Sequence, residues 1–252
     1  MDLVHNENYQ KILFIDSLIL QTLDEIKNIK KSGKVGMDSN KTVNFINLNL
    51  NVLSYILSLN YFYTRPRLKV NYDFRTNLFS FISDFSLFVN PSLLISLSDL
   101  VSSESVIKLN PEERFLIIKK LGYLIDLGMY FSKGDSKSIF FLEDIYLKFI
   151  ILAKNFIDFK NLAKNLVIDS PFYKSQLSHL IKSLELLEEG AFLLRSRYET
   201  NGAYGLTEQI LNYIQAGKIL ATVTSQKEMA EKFSKFYEVW SVKFKSDLSK
   251  NK

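Results

Sequence analysis

Three of the four prolines stand directly after a residue that caps helix N-termini: Asn90–Pro91, Asn110–Pro111 and Ser170–Pro171. At the first position of a helix a proline loses nothing by lacking its N–H, and its fixed φ suits the helix. Each pair therefore predicts a helix start. Glu113, three residues after Asn110, completes a capping-box pattern, and Glu112 and Glu113 both favour the positive helix end. Ser225-Gln-Lys-Glu228 repeats the capping-box pattern near the C-terminus.

Stops are as legible as starts. Lys30-Lys31-Ser32-Gly33 places cations in a last turn with glycine just beyond it, and Lys133–Gly134 and Asn201–Gly202 mark two further ends. Between these marks the apolar period is helical. Ile12, Ile15, Ile19, Ile26 and Ile29 fall on heptad a and d positions, with Thr22 in the remaining slot. Ile117, Leu121, Leu124, Gly128 and Phe131 share a face, and Ile139–Ile157 is apolar nearly all round, as a central helix would be.

The expected fold is all-α, an irregular bundle of nine helices near 5–31, 41–62, 74–89, 91–103, 111–133, 138–168, 171–199, 207–223 and 226–248. Between 43 and 75 a β-hairpin competes, because Ile46, Leu48, Leu50 and Val52 alternate with asparagines and Leu68, Val70, Tyr72 and Phe74 alternate as well. Phe45, Leu48, Val52, Tyr55 and Leu59 also fit one helical face, and a lone hairpin is marginal, so helix is favoured. The chain reads as one helical domain over 1–252 with a sub-boundary at 104–110, closed by the amphipathic aromatic helix 226–248 packed on the core.

Nine glycines in 252 residues are fewer than the usual ~7% would give, which suits long helices with economical loops rather than an all-β fold. With no cysteine, disulfides, zinc–thiolate sites and thiol nucleophiles are excluded together. The acidic Asp2 and Glu7 argue against a signal peptide, so a cytoplasmic location is expected. Thr42–Thr64 carries no charge and is long enough to span a bilayer, but its five asparagines make a buried helix the better reading. No transmembrane segment is expected.

Catalytic, metal and cofactor motifs do not assemble. Only His5 and His179 are present, and His179 has no carboxylate at helical spacing to share a metal with. Gly36–Thr42 superficially follows a phosphate-binding loop but lacks the glycine before Lys41 and the preceding strand, and reads as an inter-helix loop. Asp126, Glu143, Asp144, Glu185, Glu188 and Glu189 are expected at solvated edges. No catalytic, cofactor-binding or metal residue is assigned.

Two segments are candidate partner sites. In the first, Tyr61, Tyr63 and Tyr72 interleave with Arg65, Arg67, Lys69 and Arg75, a pattern suited to phosphate contacts and base stacking or to an acidic protein. It competes with a plain connector whose aromatics dock while its cations stay in water. In the second, Phe233, Phe236, Trp240 and Phe244 follow Met229 on one helical face, either closing the core or anchoring a partner. Net charge is +5, of which residues 1–126 carry +1 and 127–252 carry +4, too mild for a dedicated nucleic-acid binder. The expected function is a non-enzymatic interaction protein, a scaffold or adaptor for another protein. The alternatives are a nucleic-acid-associated protein using 61–75, and an enzyme whose site carries no familiar motif.

Overall fold

Asn110 sets the first landmark. Its side chain accepts the Glu113 N–H at 2.9 Å, and the Glu113 carboxylate accepts the Asn110 N–H at 2.9 Å, a reciprocal capping box with Pro111 at the first helical position. A computed structural model describes residues 7–32, 39–62, 77, 93–102, 109–132, 136–202 and 204–250. Among these residues every regular element is a helix and none is a strand: α1 Glu7–Lys31, α2 Ser39–Phe62, α3 Pro111–Phe131, α4 Ser136–Asn155, α5 Leu162–Asn165, α6 Tyr173–Asn201, α7 Thr207–Val223 and α8 Lys227–Lys250, with a 3₁₀ turn at Tyr204–Leu206. The fold class is all-α.

The chain divides into two compact units, Met1–Asn90 with Lys108–Ile145 and Pro91–Ile107 with Tyr146–Lys252. In the first, α1 packs on α2, and α2 on α3. The heptad seam of α1 turns Ile19, Thr22 and Ile26 inward. The charge-free stretch becomes α2, with Phe45, Ile46, Leu50, Leu53, Ile56 and Leu57 buried at helical spacing. That replaces the first arm of the alternative hairpin. The asparagine alternation coincides with a helix whose buried Asn49 returns its amide to the Phe45 carbonyl at 2.8 Å. Ser39–Thr42, read as loop, opens this helix. No described helix is long and apolar enough to cross a membrane.

Three expected helices need correction. The 91–103 helix does not continue past Leu93: residues 94–102 form bends and turns. The carbonyls of Ile95, Ser96 and Asp99 accept from side chains of α4 rather than from amides four residues on. The 138–168 helix stops at Asn155, where Asp158 takes the Asn161 N–H at 3.2 Å and its side-chain amide at 2.9 Å, a local alternative to helical bonding. Ser170–Pro171 leads into a turn, and α6 begins at Tyr173, whose N–H bonds to the Ser170 carbonyl at 3.1 Å. Of the expected 74–89 helix only Asn77 is described.

Ser225 is the fourth correction. Its N–H donates to the Thr222 carbonyl (3.2 Å) and the Gln226 N–H to the Ala221 carbonyl (2.8 Å), the paired bonds of a Schellman turn. Ser225 sits there at φ 59°, so it closes α7 rather than capping α8.

In the second unit α6, α7 and α8 form an up-down-up group. α7 packs on both neighbours, burying Ile210, Tyr213, Ile214, Leu220 and Ala221. Contacts between α6 and α8 keep a nearly constant offset along both helices: Glu188 with Lys232, Phe192 with Phe236, Arg195 with Trp240, Tyr198 with Phe244. Both sequence directions increase together, so α6 and α8 run parallel. Two glycines let α7 approach α6 and α8 closely. A Cβ on Gly190 would fall 2.5 Å from the Tyr213 ring, and one on Gly217 would fall 2.4 Å from the Phe233 ring.

Candidate interaction surface

Lys154 lies on the last turn of α4 and is fully buried, an unusual place for an ammonium group. Its Nζ donates to the main-chain carbonyl of Ser96 at 3.3 Å and to that of Asp99. The Phe159 ring lies 5.2 Å from the same nitrogen. Burial pushes the ammonium down to about 8, while the Asp99 carboxylate pulls it back up. A cation at a helix C-terminus is also favoured by the helix dipole, which offsets part of the desolvation cost.

The neighbouring bonds share one purpose. Asn155 donates from Nδ2 to the Ile95 carbonyl at 3.0 Å. Ser102 donates to the Ile157 carbonyl at 2.8 Å and accepts the Phe159 N–H at 2.8 Å. From the other side His179 donates Nε2–H to the Ala153 carbonyl at 2.8 Å, and Ser183 approaches the same oxygen at 3.4 Å. The end of α4 would otherwise leave carbonyls without amides. Here the Phe156 and Ile157 N–H groups take the Leu152 and Lys154 carbonyls and His179 and Ser183 meet that of Ala153, while Lys154, Asn155 and Ser102 hold residues 94–102, an irregular strap, in one path. Gln176, one turn before His179, is buried with its Nε2 unmatched by any acceptor among the described residues.

What the strap displays is apolar. Leu94 is 78% exposed and Val101 is also exposed. Ile168, in the turn after α5, is 79% exposed, and Val167 beside it is exposed too. The strap thus presents large apolar side chains on irregular backbone held by a buried polar network.

A family model matches residues 5–248, nearly the whole chain. The chain belongs to the TP0443 family. No curated protein and no solved structure matches it. In this TP0443-family chain the residues singled out from sequence fall in different places. Tyr61 is in the last turn of α2, and Tyr63, Arg65, Arg67, Lys69, Tyr72 and Arg75 lie outside the described residues. Phe233, Trp240 and Phe244 are buried, and Phe236 is half-buried with its ring edge-on to Phe192, centroids 5.5 Å apart. Trp240 also has the Arg195 guanidinium over its ring at 4.4 Å and Lys243 at 5.8 Å.

The acidic candidates divide. Asp126 and Glu185 are exposed. Glu188 is half-buried and ion-paired at 2.6 Å with Lys232 of α8. Glu189 accepts the Tyr146 hydroxyl. Sequence reasoning passed over Lys154 altogether. The signal was present: Lys154-Asn155 is the only polar pair between Phe149 and Ile157.

Proposed function

We propose that the chain is a non-enzymatic interaction protein, a helical scaffold or adaptor acting in the cytoplasm, whose partner is another protein. The observation that carries this is the strap. Residues 94–102 have no regular structure, yet Lys154, Asn155 and Ser102 anchor them, and Leu94 and Val101 face solvent. Ordering a loop before a partner arrives removes part of the entropy cost of association, and exposed aliphatic side chains supply apolar contact. A chain with no cysteine loses nothing in a reducing compartment, which supports the cytoplasmic assignment.

The test is affinity capture from native lysate with the wild-type chain beside Leu94→Glu/Val101→Glu. Both side chains are exposed, so the melting temperature should hold. The reading expects a captured protein that the double variant loses. Capture unchanged by the substitutions overturns the strap as the contact surface. Capture of DNA or RNA with a steep salt dependence would replace the protein partner with a nucleic acid.

A further inference from the structure

α3 buries Ile117, Ile118, Leu121, Leu124 and Ile125 on one side. On the opposite side it carries a second apolar line, Leu116, Tyr123 and Tyr130, exposed by 44%, 62% and 61%. The seven-residue spacing keeps these three on one face with only a slow drift, as along a coiled-coil seam. A large apolar or aromatic side chain at every second turn, facing water, is what an association surface displays and what a solvated face does not.

The charges beside the line decide what fits it. Lys119 and Asp126 are exposed on one flank, and Lys120 and Leu127 lie on the other. When a helix pairs antiparallel with its own copy about a two-fold axis through Tyr123, each flank meets itself with its direction reversed. At ~1.5 Å per residue, Lys119 lies about 6 Å on one side of the axis and Asp126 of the second copy about 4.5 Å on the same side. The two are therefore level, and symmetry makes the contact twice. Leu116 then meets Tyr130 of the second copy, and the two Tyr123 rings meet at the axis. In a parallel pair the flanks exchange, and Lys119 comes level with Lys120 of the second copy, like against like. The pattern is self-complementary in one orientation only.

The geometry points to self-association of the full chain through the outward face of α3, antiparallel, centred on Tyr123 and framed by Lys119–Asp126 pairs. This surface is separate from the strap, and neither reading depends on the other.

Sedimentation velocity on the full chain, from micromolar to submillimolar concentration, tests it. A monomer–dimer equilibrium is expected, with Tyr123→Glu weakening dimerisation by about tenfold or more as a central residue of a small interface should. Asp126→Lys alone should weaken it, and Asp126→Lys with Lys119→Asp should restore it, since the pairs re-form with their signs exchanged. All three positions are at the surface, and an unchanged thermal melt establishes that each variant is folded. A chain that stays monomeric throughout the range overturns the proposal. So does a dimer indifferent to Tyr123→Glu, or a charge exchange that fails to rescue.

Discussion

Gly217 on α7 lies so close beneath the Phe233 ring of α8 that a Cβ at Gly217 would come within 2.4 Å of the ring's far carbon. Phe233 is almost completely buried, so the ring cannot swing into solvent to make room. Gly217→Ala should therefore destabilise the protein by about 1–3 kcal/mol or more through overpacking, although alanine is the better helix former by ~1 kcal/mol. Adding Phe233→Leu should recover part of the loss, because a smaller side chain relieves the same clash. Urea melts of the single and double variants measure both. A neutral or stabilising Gly217→Ala would show that the helices separate easily here.

Ser225 gives a sharper contrast. As an N-cap its hydroxyl would matter, and Ser225→Ala would cost about 1 kcal/mol. As the left-handed residue of a Schellman turn its backbone matters instead, at φ 59° where only glycine is unstrained. Ser225→Gly should raise stability by up to about 1 kcal/mol, and Ser225→Ala should leave it near wild type. Thermal melts separate the two cases, and a loss with alanine greater than with glycine would return the serine to its capping role.

Lys154 predicts a pH dependence with a definite sign. Its folded pKa, about 8, lies below the ordinary lysine value of 10.5. Between those values the unfolded chain holds a proton that the fold has released, so stability rises with pH across this window, by at most about 3 kcal/mol. The neutral amine still has two N–H bonds for the Ser96 and Asp99 carbonyls, so deprotonation leaves the strap's anchor in place. Tyr213 opposes this at the alkaline end. Burial raises its pKa, so its contribution is whole below pH ~10 and declines above it. Lys154→Met should flatten the rise between pH 8 and 10 and, by removing the donor to two carbonyls, speed hydrogen exchange across 94–102. A wild-type chain whose stability falls steadily from pH 8 would contradict the assignment.

Local chemistry was legible in the sequence wherever a short stretch settles its own fate. Thr207–Val223 and the Asn110 capping box follow from spacing and cap residues alone. The misreadings share one cause, which is competition from residues distant in sequence or from a neighbouring element. Residues 94–102 look helical until Lys154 and Asn155, more than fifty positions away, claim their carbonyls. Ser225 satisfies two local rules at once, and the end of α7 immediately before it decides which applies. The candidate surface eluded the sequence because its anchor is one lysine in an apolar run, where burial shows only after folding. The α6–α8 pairing needed three dimensions too, since Glu188 and Lys232 stand 44 positions apart.

Trp240 carries the last expectation. It is buried on α8 with the Arg195 guanidinium of α6 stacked on its ring and the Phe244 ring 5.2 Å away, so one indole reports on the whole α6–α8 contact. Emission should be blue-shifted in the native protein. Iodide should quench it poorly even though Arg195 and Lys243 attract anions to that spot, because burial, not charge, limits access. Trp240→Ala removes a large side chain from a packed seam and should cost about 3–5 kcal/mol. Arg195→Ala leaves the indole in place and should cost roughly 0.5–2 kcal/mol, the worth of a partly desolvated cation–π contact, while making the emission redder and more quenchable. If Arg195→Ala leaves emission and quenching untouched, the guanidinium does not shield the ring. If native Trp240 already emits like free tryptophan, α8 is not held against α6 in solution and its aromatic face is available to a partner.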